Sequence, residues 1–142
     1  MTTGLEICYE SPVLGMRLAL DPGSHKCGWA IECPLAHSPL IGVSHIEKLE
    51  AFLQEASCFF AVATVVVGDG TGSARVIEIA RRSLPGVEVA VIDERGSTEE
   101  AFKLYLHSRG GGMLRYLYAQ LFKPPLDGYA AWVLLMRHGQ KL

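Results

Sequence analysis

Asp21, the pair Asp93-Glu94, and Asp127 stand where the chain can give a carboxylate chemical work. Asp21 follows the apolar Leu18-Ala19-Leu20 and precedes Pro22-Gly23, so it closes a buried run instead of lying on an open helix face. Asp93-Glu94 closes Val89–Ile92 in the same manner. Side chains alternate along a strand, so only one of that pair can share a face with Asp21. Asp127 stands near the start of the last helical segment. Each acid also has a plainer role, Asp21 within a Pro-Gly turn and Asp127 at the positive end of a helix. A carboxylate is costly to bury unpaired, so three acids converging on one site need a cation to hold them together. Mg2+ or Mn2+ suits such hard oxygen donors and bridges phosphates.

Other chemistries find less support. Cys8, Cys27, Cys33 and Cys58 are scattered without a C-x-x-C pair, which indicates neither a disulfide framework nor a zinc knuckle. No His stands near a Ser and an acid in a nucleophilic motif. Tyr105, Tyr116 and Tyr118 lie among basic residues and can in principle stack on unpaired bases, although residues at helical spacing more often serve a core or an interface.

The elements that must position these acids follow from hydrophobic periodicity. Residues 1–15 have no clear period and form an irregular extension before a single domain over 16–142. Met16–Asp21 and Cys27–Glu32 form a hairpin around Pro22-Gly23, and Leu40–Ser44 is a third strand. His45–Ser57 carries Ile46, Leu49, Phe52, Leu53 and Ala56 at helical spacing. The β-branched Val62–Val67 run lacks a polar face, as befits a central strand, and Gly68-Asp69-Gly70-Thr71-Gly72 ends it. A helix capped by Ser73 runs to Ser83, and Val87–Ile92 is a further strand. A helix opens at Ser97 with a Ser97/Glu100 capping box, a short helix lies within 113–122, and a last one spans about 126–138. Three early strands followed by alternating helices and strands give an α/β fold, one mixed five-stranded sheet with helices on both faces. Polar sites in such sheets form where strands end and connections diverge, and the acids lie there.

The chain of 142 residues is the size of one domain, with 49% hydrophobic and 20% charged residues, a globular balance. No apolar run approaches the ~20 residues of a membrane span. Met1–Glu10 carries two Glu and no Lys or Arg, so neither a membrane anchor nor a signal peptide is expected and the location is cytoplasmic. The net charge of -2 is unlike that of a typical nucleic-acid binder. Its distribution is uneven, because Lys103, Arg109, Arg115, Lys123, Arg137 and Lys141 face only Asp127 in the C-terminal third. That asymmetry suits either a polyanionic partner or a solvated helix face.

The order of these motifs resembles the RuvC-like branch of the ribonuclease H superfamily, most closely the YqgF (RuvX) group associated with Holliday junction resolution and pre-16S rRNA processing. Leu18-Ala19-Leu20-Asp21-Pro22-Gly23-Ser24 with Gly28-Trp29-Ala30-Ile31 is similar to the family's opening hairpin. Val65-Val66-Val67-Gly68 resembles its central strand, and Asp93-Glu94-Arg95 with Ser97-Thr98 and Glu100-Ala101 resembles its most characteristic stretch. Asp127 before Tyr129-Ala130-Ala131 looks like the acid that opens its final helix. The resemblance implies a ribonuclease H-like fold and a metal-dependent nuclease in which Asp21, Glu94 and Asp127 bind Mg2+ or Mn2+. It also makes Arg95 a candidate to place phosphate or order its loop. Lys103, Arg109, Arg115 and Lys123 are then candidates to bind flanking RNA or branched DNA, and a junction enzyme is expected to be a homodimer with two related sites.

The chain departs from the family where a proline-containing loop usually follows Gly68. The Asp69-Gly70-Thr71-Gly72 segment here either turns tightly or cradles phosphate through its amides. Asp69 is an additional candidate metal ligand, because its strand is expected beside that of Asp21. Lys123-Pro124-Pro125-Leu126 replaces the family's polar segment before the third acid. Two other function classes stay open. Asp21-Pro22-Gly23-Ser24 and Asp69-Gly70-Thr71-Gly72 are also similar to the phosphate loops of actin-like ATPases, which implies a nucleotide-binding module. A non-catalytic interaction domain on the same fold is the third.

Overall fold

A computed structural model of the chain describes residues 15–33, 36, 38–108, 112–113 and 126–141. The expected extension before residue 15 and, apart from Met113, the expected helix over 113–122 lie outside the described residues, as do Arg109, Arg115, Tyr116, Tyr118 and Lys123.

Five strands form one sheet: β1 (Met16–Asp21), β2 (Lys26–Ile31), β3 (Leu40–His45), β4 (Val62–Gly68) and β5 (Glu88–Ile92). Four helices are described: α1 (Ile46–Phe59), α2 (Ser73–Ser83), α3 (Ser97–Ser108) and α4 (Asp127–Lys141). The strand order is β3-β2-β1-β4-β5. β2 runs antiparallel to both β1 and β3, while β4 is parallel to β1 and to β5. This is the mixed, helix-covered sheet of the ribonuclease H-like fold. Within the described residues the strands and helices expected from periodicity are present, with ends displaced by up to three residues, the largest shift at the end of α4.

Alternation along the strands builds two cores. Leu18, Leu20, Cys27, Ile31, Val65 and Val67 face α1 and α2, where they meet Leu49, Leu53, Val76 and Ile79. Ala19, Ala30, Val66 and Ile92 face α4 and meet Ala131, Leu134 and Leu135. Each large aliphatic side chain buried in this way contributes about 1.5–3 kcal/mol. The small residues on the α4 side let that helix approach the sheet closely. α3 does not reach the sheet core and packs on α4 instead, with Ala101 and Tyr105 against Tyr129, Ala130 and Val133.

Two expected caps take another form. Gly72, not Ser73, is the N-cap of α2, at a left-handed φ of 85° that disfavours a side chain. In α3 the Glu100 amide donates to the Gly96 carbonyl at 3.1 Å, and the Glu100 carboxylate turns to Arg137 instead of back to Ser97. An arginine on a neighbouring helix is a stronger partner for a carboxylate than a main-chain amide, so tertiary contact overrides the local box.

Candidate active site

The C-terminal ends of β1, β4 and β5 are level. Leu20 pairs with Val67, and Gly68 pairs with Ile92, so Asp21, Gly68 and Ile92 stand side by side. Ala19 and Ile92 both face α4. Asp21, two residues after Ala19, and Glu94, two residues after Ile92, therefore project on the same side. Alternation left one residue of Asp93-Glu94 for this face, and that residue is Glu94. Asp93 is exposed and turns to its own loop, where its Oδ1 accepts from the Arg95 amide at 2.9 Å.

Space for the Glu94 carboxylate comes from glycine. A Cβ at Gly68 or Gly70 would overlap the Glu94 carboxylate oxygens. The glycine-rich loop thus turns tightly and leaves a niche that the acid fills. Its last glycine lies against the Pro22-Gly23 turn, where a Cβ at Gly72 would stand 2.7 Å from the Gly23 carbonyl.

Asp21 and Glu94 meet in that niche. Burial, followed by the Glu94 charge, the hydrogen bond that protonated Asp21 donates to Glu94 and the Asp127 charge, pushes the Asp21 carboxyl from 3.8 to about 7. Burial raises Glu94 too, opposed by the hydrogen bond it receives from Asp21. Glu94 Oε2 is buried and has no hydrogen-bond partner among the described residues. Burial and the mutual charge of the apposed pair therefore favour one proton shared between the two carboxyls.

Asp127 is the first residue of α4, and its main chain presses on β2, where a Cβ at Gly28 would overlap the Asp127 carbonyl. Gly28 is the register partner of Asp21. The third acid therefore stands over the same strand ends, close enough for its charge to act on Asp21. Among the described residues, however, no three acidic, His or Cys side chains are gathered around a single metal position. The convergence expected of three acids is in this structure an apposed pair with Asp127 set back from it. The seating of α4 on Gly28 fixes the Asp127 main chain while its carboxylate remains only half-buried.

Asp69, expected as an additional ligand, holds the main chain instead. Its Oδ1 accepts from the Glu94 amide at 3.1 Å, and its own amide donates to the Ile92 carbonyl at 3.0 Å. It links the ends of β4 and β5, and its charge adds to the rise of the Glu94 carboxyl.

Arg137 was not singled out for the site by sequence. From α4 its guanidinium donates to the carbonyls of Asp93 at 2.7 Å and Arg95 at 2.8 Å, and to Glu100 Oε1 at 2.9 Å. These three bonds fix the turn that carries Glu94. No local pattern announces them, since the partners are separated by 44, 42 and 37 residues.

Of the expected nucleic-acid contacts, Arg95 is 92% exposed with its side chain beside Asp93 at 3.4 Å, and Lys103 is exposed on α3. Tyr105 is buried, edge-on to Tyr129 at 5.5 Å between ring centroids, and belongs to the α3–α4 core and not to a stacking surface. Burial pushes the Cys27 thiol up, so it is a neutral core group.

A pair of carboxylates, one with a buried oxygen lacking a donor, fits a hard divalent cation. Mg2+ commonly takes one or two protein carboxylates and completes its shell with water and phosphate oxygens. Asp21 and Glu94 would hold such a cation, whose charge would replace that of the shared proton.

No protein-family model matches this chain, and no curated protein matches it. Solved structures resemble it distantly. A protein described as a sugar kinase from Cytophaga hutchinsonii superposes with a TM-score of 0.43 and 12% identity, over 61% of this chain and 38% of that one. Pelota from Archaeoglobus fulgidus gives a TM-score of 0.42 and 10% identity, over 96% of this chain and 40% of its own. The Ppx/GppA phosphatase of Aquifex aeolicus gives 0.36 and 14%, over 65% and 42%. The chain thus spans about two fifths of the length of each of these proteins.

Proposed function

We propose that this domain is a divalent-metal-dependent nuclease that hydrolyses phosphodiester bonds in structured nucleic acid. The observation that supports it is the apposition of Asp21 and Glu94 at the level ends of β1 and β5, with a buried Glu94 oxygen that lacks a donor. Asp21 and Glu94 would hold Mg2+ or Mn2+, and Asp127 stands at the rim to complete the set. The ion supplies an activated water for attack on phosphorus and stabilises the leaving oxygen. The chain itself contributes the fixed positions of the acids, through Asp69 and Arg137 on the Glu94 turn and Gly28 beneath Asp127. No protein nucleophile is required. Pre-16S rRNA and branched DNA junctions are the two substrates implied by the resemblance, and the cytoplasm is the expected location.

Labelled single-stranded RNA, precursor rRNA and a four-way DNA junction, incubated with Mn2+ or with chelator, test this reading. Cleavage that needs metal and disappears in Asp21→Asn is expected. Cutting by the variant at the wild-type rate, or none by the wild type, would leave a binding module on the same fold. The meeting of the Gly23 and Gly72 turns favours, as a second reading, a module that binds nucleotide phosphates. Calorimetry with ATP and Mg2+ separates the two.

A further inference from the structure

Among the described arginines, Arg17, Arg82, Arg95 and Arg137 are each tied to a carboxylate. Arg75, exposed in the first turn of α2, makes no ion pair among the described residues, and neither do the exposed Lys26 and Lys48. Arg75 lines an opening of about 260 Å³ together with Ser24, His25, His45, Ile46 and Glu47. Its walls are firm, since the Ile46 amide donates to the His25 carbonyl at 2.9 Å and Lys26 pairs with His45 in the sheet.

The opening stands at the same end of the sheet as the carboxylate pair. Ser24 and His25 continue the turn that begins at Asp21-Pro22-Gly23. α2 starts directly after Gly72, which packs on the Gly23 carbonyl. The acids project on the α4 side and Arg75 stands on the α2 side, so a strand of nucleic acid would cross the ends of β1 and β4 to touch both.

We propose that this opening, with Arg75 in its wall and with Lys26 and Lys48 next in sequence to its lining residues His25 and Glu47, binds the sugar-phosphate backbone of the nucleic acid cut at Asp21 and Glu94, an inference that rests on the nuclease reading above. Glu47 lines the same opening and disfavours a single small anion lodged within it. Separate exposed cations suit successive phosphates of a chain, while Ser24, His25 and His45 offer hydrogen-bonding groups to phosphate and sugar oxygens. The surface differs from the basic C-terminal third expected from sequence, where Arg137 is already committed to Glu100 and to the Glu94 turn.

Fluorescence anisotropy with labelled structured RNA and a four-way DNA junction, in chelator to prevent cutting and across a range of salt, tests the proposal. The double variant Lys26→Ala/Arg75→Ala is expected to reduce the slope of log affinity against log salt by about 2, one for each lost phosphate contact. Arg75→Lys should retain most of the wild-type slope. Arg81→Ala, which removes one positive charge near the far end of α2, should leave it unchanged. Wild-type binding with an unaltered slope in the double variant overturns this proposal and leaves the nuclease reading standing. Absence of wild-type binding to any nucleic acid overturns both. Inorganic phosphate should displace no more nucleic acid than chloride at equal ionic strength, and specific displacement would assign the opening to a small anion and overturn the proposal.

Discussion

Nη1 of Arg137 donates to the main-chain carbonyl of Asp93 at 2.7 Å, which ties α4 to the turn between β5 and α3. The same side chain reaches the Arg95 carbonyl and Glu100. Glu94 lies between the two bonded carbonyls, and Asp127 opens the helix that supplies the arginine. One guanidinium thus couples the elements that carry two of the three candidate acids.

Arg137→Ala removes three charge-assisted hydrogen bonds from a side chain that is 19% exposed. A loss of about 2 kcal/mol is expected after allowance for water reaching the exposed carbonyls. That corresponds to about 6 °C in melting temperature for a domain of this size. Arg137→Lys keeps the charge but not the forked geometry, so it should recover part of the stability and little of the cleavage rate. Equal single-turnover cleavage rates for the wild type and Arg137→Lys would remove Arg137 from the positioning of Glu94.

Gly70→Ala places a Cβ on the Glu94 carboxylate. The carboxylate must leave its niche, and metal-dependent cleavage is expected to fall by about 100-fold, since a displacement near 1 Å has that effect on a positioned group. Gly112→Ala, where no described residue lies within 4 Å of the added Cβ, is the control and should behave as wild type. Cleavage assays with both variants, after each is shown to be folded by circular dichroism, decide the matter.

The carboxyl of Asp21 changes from 3.8 to about 7 on folding without metal. Between these values the folded chain binds a proton that the unfolded chain has lost, so stability falls as pH rises across that window and is level above it. Asp21→Asn abolishes this dependence. In chelator, its melting temperature is expected to exceed that of the wild type by a margin that is small near about pH 4 and reaches its full size above about pH 7. A margin independent of pH would show that no proton is held at Asp21.

Glu32 receives Arg17 at both carboxylate oxygens, at 2.8 and 3.2 Å from the guanidinium, and this pairing holds its carboxyl below the ordinary 4.5. A depressed value stabilises the fold above the ordinary range, and that contribution is lost as pH falls through the folded value. Glu32→Gln should therefore melt below wild type at neutral pH, and the difference should vanish in acid. Because Glu32 is partly exposed, added salt should narrow the neutral-pH difference as well, which melting curves at two salt concentrations will report.

Much of this architecture is legible in short stretches of sequence. The apolar run before Asp21, the β-branched run before Gly68 and the run before Asp93-Glu94 define three strands that end in acids or glycine, because alternation and burial act over a few residues. The same rule restricts the Asp21 face to one member of Asp93-Glu94. It does not say which member, and the register of Gly68 with Ile92, with Ile92 buried beneath α4, selects Glu94. Tertiary packing alone decided the rest. Asp69 bonds the Glu94 amide, Gly68 and Gly70 make room for its carboxylate, Arg137 clamps its turn, and Asp127 stands off by the seating of α4 on Gly28. Each of these contacts joins residues at least 24 positions apart, and local propensity carries no information about which distant surfaces meet.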